Sequence, residues 1–200
     1  MICRKAILST AAFFLTLPLA AILPGQSSAP KVTPAKVSSP IVALETTMGT
    51  IKVELFTAKA PITTKNFLNY VNSGFYNGTI VHRVDFVIGM GGYTEVLFAK
   101  TPGPPIKNES KNGLKNTRGT LSMARFNDPD SATSQFFINL KDNTHLDTAG
   151  AEWGYAVFGK VIEGMDVVDK IAAVKTGTKT PFTNIPLQTI VLKSAKVVSR

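Results

Sequence analysis

Five side chains stand out as candidates for chemistry: Arg83, Phe86, Gln135, Phe137 and Tyr155, each on or beside a stretch that reads as a β-strand. Arg83 lies in VHRVDFVI, among apolar residues, where a guanidinium is costly unless it is paired, hydrogen-bonded or kept for a purpose. Gln135 and Phe137 fall two apart in SQFFINL, so in a strand they project to the same side. Together these residues describe an apolar surface carrying a few fixed donors. Other constellations fail. His82 and His145 are the two histidines, no HExxH spacing occurs, and the single cysteine is Cys3, so no standard zinc site forms. GxSxG is absent, which removes the anchor of a serine hydrolase. Gly89, Gly91 and Gly92 fit no phosphate-cradling frame, and Asp128 and Asp130 in FNDPDS read as turn residues. These absences leave few routes to covalent or metal catalysis, and no metal or cofactor is expected.

The elements that position these groups follow from periodicity. IVALETT and TIKVELF alternate apolar and polar residues around Met48-Gly49, the pattern of a hairpin. Pro61 opens a helix with Thr64, Phe67, Leu68 and Val71 on one face, and Gly74 closes it. Short strands are predicted over 79–84, 86–89, 119–124, 135–140 and 155–162. A second helix over 165–174 carries Met165, Val168, Ile171 and Ala172, and QTIVLKSAKVV forms a last strand. Long glycine-, proline- and asparagine-rich loops fill 91–117 and 141–153, and such loops usually carry function. About eight short strands with two separated helices predict a mostly-β chain, a closed antiparallel barrel capped by helices.

Composition agrees with a globular chain: 44% hydrophobic and 18% charged over 200 residues, enough for one substantial core. The net charge of +9 raises nucleic acid as a partner, but no run of basic residues exceeds two, so the charge reads as a diffuse bias and nucleic acid is set aside. Arg4-Lys5 followed by an apolar stretch to Leu23 and then PGQSSA predicts a signal peptide over 1–29 and an exported, periplasmic protein. Two alternatives to that location are an uncleaved inner-membrane anchor and an organellar lumen. Residues 30–40 form a proline-, serine- and lysine-bearing linker, and 41–200 the folded domain. Cys3 falls in the leader, so the mature chain has no thiol to pair or react.

YVNSGFYNGTIVHRV, PPIKNE, NTRGTLSMAR, SQFFINL and YAVFGKVIEGMDVVDKI, in this order over about residues 41–198, resemble the cyclophilins, most of all the short exported bacterial form. The resemblance implies an eight-stranded barrel with two helices, and peptidyl-prolyl cis–trans isomerase activity on exported polypeptides in support of their folding. It implies a catalytic role for Arg83, as a donor to the prolyl nitrogen. Substrate contacts would fall to Phe86, Val87, Gly89, Ala124, Arg125, Gln135, Phe137, His145, Leu146 and Tyr155. The partners implied are proline-containing flexible chains, with weak binding of cyclosporin-type ligands because His145 replaces the usual aromatic; a monomer is the default. Two features depart from the family pattern. HRV passes to Asp85-Phe86 two residues early, and Gly89 occupies the usual glutamine position, which predicts a less firmly held Arg83. The alternative reading is therefore a catalytically weakened proline-peptide-binding or chaperone-like module on the same fold.

Overall fold

Alternation along β1 (Ile41–Thr46) and β2 (Gly49–Leu55) buries Val42, Leu44, Ile51, Val53 and Leu55 and turns Lys52 and Glu54 outward. The computed structural model describes residues 39–199, so the expected signal peptide over 1–29 and most of the linker over 30–40 lie outside the described residues. Beyond this hairpin come α1 (Pro61–Asn72), β3 (Thr79–Val84), β4 (Val87–Thr94), β5 (Thr120–Met123), β6 (Phe136–Asn139) and β7 (Val157–Glu163). They are followed by α2 (Met165–Ala172), β8 (Thr176–Lys179), β9 (Phe182–Pro186) and β10 (Val191–Ser199). Eight strands close a barrel in the order β1-β10-β3-β4-β6-β5-β7-β2, every pair antiparallel, while β8 and β9 form a separate hairpin. The expected fold class, a mostly-β barrel of eight strands with two α-helices, is what the chain adopts.

The interior is aromatic where α1 lies on the barrel. Phe67 packs edge-on to Phe136 at 5.1 Å and against Phe158 at 5.2 Å, and Tyr76 meets Phe136 at 5.4 Å. Tyr76 is fully buried, and its hydroxyl donates to the Ser134 carbonyl at 2.8 Å, so its polar end is satisfied inside the core. Burial pushes its phenol well above the ordinary tyrosine value.

α1 starts without a side-chain cap of its own, since Ala60 precedes Pro61. Glu109, 46 residues away from Thr63, supplies the cap: its carboxylate accepts from the Ile62 N–H at 3.1 Å and from the Thr63 N–H and hydroxyl, both at 2.7 Å. A carboxylate there meets both the orphan amides and the positive end of the helix dipole. Glu109→Ala is expected to lower stability by about 1–2 kcal/mol in urea unfolding, without changing peptide affinity. At the other end Phe75 N–H donates to Tyr70 O and Gly74 N–H to Val71 O, with Gly74 at φ +69°, so the helix ends where the sequence predicts.

Several expected boundaries move. The strand placed at 86–89 continues to Thr94, so the loop expected from 91 begins later. Gly91 sits at φ +90°, and a side chain there would press on the Tyr76 ring at 2.9 Å; one at Gly92 would meet Gln135 Cγ at 2.6 Å. The glycines therefore let the strand pass over core rings rather than end it. α2 ends at Ala172 and buries Val167 with Val168 and Ile171, while Met165 and Ala172 are only partly covered. The β8–β9 hairpin has no counterpart in the predicted elements. No helix among the described residues is long and apolar enough to cross a membrane.

Candidate functional site

On the outer face of the sheet, β3, β4 and β6 bring together residues far apart in sequence. Arg83 pairs with Gly89 across β3–β4, and Gly89 pairs in turn with Phe137 on β6. Strand alternation sends Ile88 and Met90 into the core and leaves Val87 on the outside. A short 3-10 turn, Thr144–Leu146, and the approach to β7 at Tyr155 supply the opposite wall. The result is a cavity of about 290 Å³ lined by Arg83, Phe86, Val87, Ala124, Arg125, Phe137, His145, Leu146 and Tyr155. Of the residues proposed from sequence, two are not among those lining it. Gly89 contributes backbone beneath Arg83, and Gln135 lines a neighbouring hollow of about 60 Å³ with Ala124, Arg125 and Phe126.

The cavity is apolar below and cationic at the rim. Phe137 is 6% exposed and meets Tyr155 edge-on at 5.6 Å. Phe86 stands edge-on to His145 at 5.2 Å. Arg125 lies over Tyr155 with its guanidinium carbon 4.8 Å from the ring, and its N–H groups donate to backbone carbonyls of Phe126, Asn127, Trp153 and Gly154. Arg83 occupies an exposed strand position, so it escapes the burial its apolar neighbours suggest. Its Nε donates to Asp85 Oδ2 at 2.7 Å, and its guanidinium carbon lies 5.1 Å from the Phe86 ring centre. None of the described residues hydrogen-bonds either Nη, so the two NH2 groups of this cavity-lining residue remain without a protein partner. Where the sequence offers no glutamine at 89, the side chain that Arg83 meets is Asp85, in the turn between β3 and β4.

A buried amide network, missed in the sequence because asparagines default to turns, fixes the far wall. Asn116, 2% exposed, accepts the Ser122 hydroxyl at 2.7 Å and donates to Asp147 Oδ1 at 3.0 Å and the Leu146 carbonyl at 3.2 Å. Asn143 joins the two sides, donating to Asn139 Oδ1 at 2.8 Å and to the Phe86 carbonyl at 3.2 Å. Tyr155 N–H donates to Leu146 O at 2.9 Å, completing the wall.

Behind Arg83, His82 is wedged between Tyr93 and Phe182, with ring centroids at 5.0 and 6.1 Å, and its Nδ1 is buried without a hydrogen bond. Burial lowers its pKa to about 4, with the adjacent Arg83 charge adding to the effect and the Ile80 backbone opposing it. The unfolded chain titrates near 6.5, so between pH 6.5 and 4 it binds a proton that the folded chain refuses. Stability contributed by this site is therefore whole above pH 6.5 and falls with pH, by about 3 kcal/mol at pH 4. In urea unfolding, the stability difference between the wild type and His82→Phe should shift against the wild type by that amount from pH 7 to pH 4. A constant difference would show that His82 stays accessible to protons.

Known proteins similar to this chain share both its sequence and its barrel. The family model described as "Cyclophilin type peptidyl-prolyl cis-trans isomerase/CLD" matches residues 41–197. Peptidyl-prolyl cis-trans isomerase A of Dickeya dadantii (strain 3937) is 51% identical over 168 residues, covering 83% of this chain and 88% of the relative. Peptidyl-prolyl cis-trans isomerase B of Escherichia coli (strain K12) is 49% identical over 162 residues, covering 78% and 99%. Among solved structures, a Cryptosporidium parvum cyclophilin-type peptidyl-prolyl cis-trans isomerase matches with a TM-score of 0.69 at 28% identity, covering 81% of this chain and 99% of that one. The same protein in the presence of the dipeptide Ala-Pro matches with a TM-score of 0.67 at 28% identity, covering 80% and 99%.

Proposed function

This chain belongs to the cyclophilin-type peptidyl-prolyl cis–trans isomerases, and we propose that it accelerates rotation about X–Pro bonds by donating from Arg83 to the prolyl nitrogen. The observation that carries this reading is the cavity itself, an apolar floor of Val87, Phe137 and Leu146 with an unencumbered pair of Nη groups at its edge. A planar peptide bond resists rotation with a barrier of ~18–20 kcal/mol, and X–Pro bonds isomerise in tens to hundreds of seconds unaided. As the bond twists, amide conjugation is lost and the nitrogen gains a lone pair. A donor aimed at that nitrogen binds the twisted state and largely ignores the planar one, which is the condition for lowering a barrier. Arginine serves because it stays protonated and cannot give its proton away.

In this reading the proline ring occupies the space between Phe86, Phe137, Leu146 and Tyr155. Ala124 and the backbone of Arg125 meet the strand that leads into it, and Gln135 contacts the chain beyond. The clients are proline-containing flexible polypeptides, and the leader sequence supports exported ones, folding in the periplasm. Titration with an Ala-Pro peptide followed by NMR tests the placement. Shifts should concentrate on Val87, Phe137, Leu146 and Tyr155, and a refolding reaction limited by X–Pro isomerisation should speed up with catalytic protein. Shifts confined to the groove beside α1, lined by Ile62, Tyr70 and Pro104, would place the peptide elsewhere.

A further inference from the structure

We propose that Asp85 is the positioning residue for Arg83, doing so through one carboxylate that ties the guanidinium to the backbone of the neighbouring strand. The inference rests on the reading of Arg83 as the donor. Only Asp85 and Phe86 separate β3 from β4. Within that turn Asp85 Oδ2 accepts from Arg83 Nε at 2.7 Å, while Oδ1 accepts from the Val87 N–H at 3.1 Å. The Asp85 N–H closes the turn by donating to the Val87 carbonyl at 3.0 Å. Asn184 of β9 lies at the limit of hydrogen bonding to Oδ2, at 3.5 Å. The guanidinium is thus held at Nε by the carboxylate and bounded by the Phe86 ring.

This arrangement uses the fork of arginine economically. One of five N–H donors is spent on positioning, and the four on the Nη atoms remain for a substrate. A free arginine side chain loses rotamer entropy when fixed, so a donor already fixed binds the twisted bond with less to lose. Gly89, opposite Arg83, offers no side chain to share the task. The pair is not a stability device: the Arg83 side chain is 47% exposed, and ion pairs so open to water contribute little to folding. Nor is the carboxylate an aid to donation as such, because its negative charge offsets the positive potential around the guanidinium. Its benefit is geometric.

Asp85→Ala and Asp85→Asn, assayed with an Ala-Pro peptide beside the wild type and Arg83→Ala, test the proposal. Asp85→Ala should lower kcat by on the order of tenfold, with peptide Kd within about twofold and faster solvent exchange of the Arg83 Nε–H in the NMR spectrum. Asp85→Asn keeps the shape but has one accepting oxygen for two donors, so it should lose less, about threefold. An Asp85→Ala protein with kcat at or above the wild-type value, or with kcat/KM and affinity falling together, overturns the proposal. If Arg83→Ala itself leaves isomerisation intact, the reading of Arg83 fails. If Arg83→Ala is inactive and Asp85→Ala fully active, only the role of Asp85 falls.

Discussion

Arg83→Ala is expected to lower kcat/KM for an Ala-Pro peptide by about 10²–10³-fold, while the Kd of the peptide changes by less than about threefold. The asymmetry follows from where the guanidinium acts. The cavity that holds the proline ring is made of Phe86, Val87, Phe137, Leu146 and Tyr155, and none of these is lost in the variant. What is lost is a donor that meets the nitrogen once conjugation is broken. Removal of one such donor in other active sites costs about 3–4 kcal/mol in the transition state and little in the ground state. Arg83→Lys should recover only part of the loss. A lysine keeps the charge but not the planar fork whose Nε meets Asp85 while its Nη groups stay without a protein partner. Stopped-flow kinetics with an isothermal titration on the same samples would check both halves. Parallel loss of rate and affinity would mean that Arg83 merely binds.

The second large effect is expected at a residue that touches no substrate. Asn116→Ala should destabilise the domain by about 3–5 kcal/mol, a large share of the 5–15 kcal/mol that holds a domain folded. Asn116 is nearly fully buried and joins β5, the 3-10 turn and the approach to β7 through one amide. Its removal takes away the acceptor of the fully buried Ser122 hydroxyl, leaving that group a long contact from Asn139 Nδ2 at 3.5 Å, and weakens the anchoring of Asp147 and Leu146. Each buried polar group left unpaired costs about 1–3 kcal/mol. Asn116→Asp should be no milder, because it sets a second carboxylate against Asp147 Oδ1, now 3.0 Å from the amide nitrogen. Leu146 and Tyr155 form the wall above Phe137, so the surviving folded fraction should bind peptide less tightly. Urea unfolding and peptide titration at one temperature would separate the two consequences. A variant that melts within about 0.5 kcal/mol of the wild type would show that water replaces the amide.

The parts of this structure that were legible in the sequence are those governed by local pattern. Alternation in IVALET and KVEL defines the first hairpin, and the Pro61 to Gly74 span defines α1. Arg83, Phe86, Phe137 and Tyr155 stand out by residue type and strand position, but Val87, His145 and Leu146 could be added only by resemblance, because the β4–β6 pairing that gathers the site joins residues 46 to 52 apart. Elements governed by distant contacts were not legible. TGTK and FTNIP carry no alternation, and their hairpin leans on Phe182 packing edge-on to Tyr93 at 4.7 Å. Gly91 and Gly92 read as loop until the Tyr76, Phe136 and Gln135 side chains that demand them are in place. The contact between Arg83 and Asp85 was not legible for the same reason. A missing glutamine is visible in one dimension, whereas an aspartate that bridges two strands is not.

Arg83 is expected to act while the bond turns, and bound-state exchange spectroscopy observes that step. With the protein in excess, so that an Ala-Pro peptide is fully bound, the cis–trans interconversion rate on the protein can be read without any contribution from association. The prediction is fast interconversion on the wild type and a rate lower by about 10²–10³-fold on Arg83→Ala at equal occupancy. Equal on-protein rates in the two would contradict the account, since the apolar cavity alone would then be turning the bond.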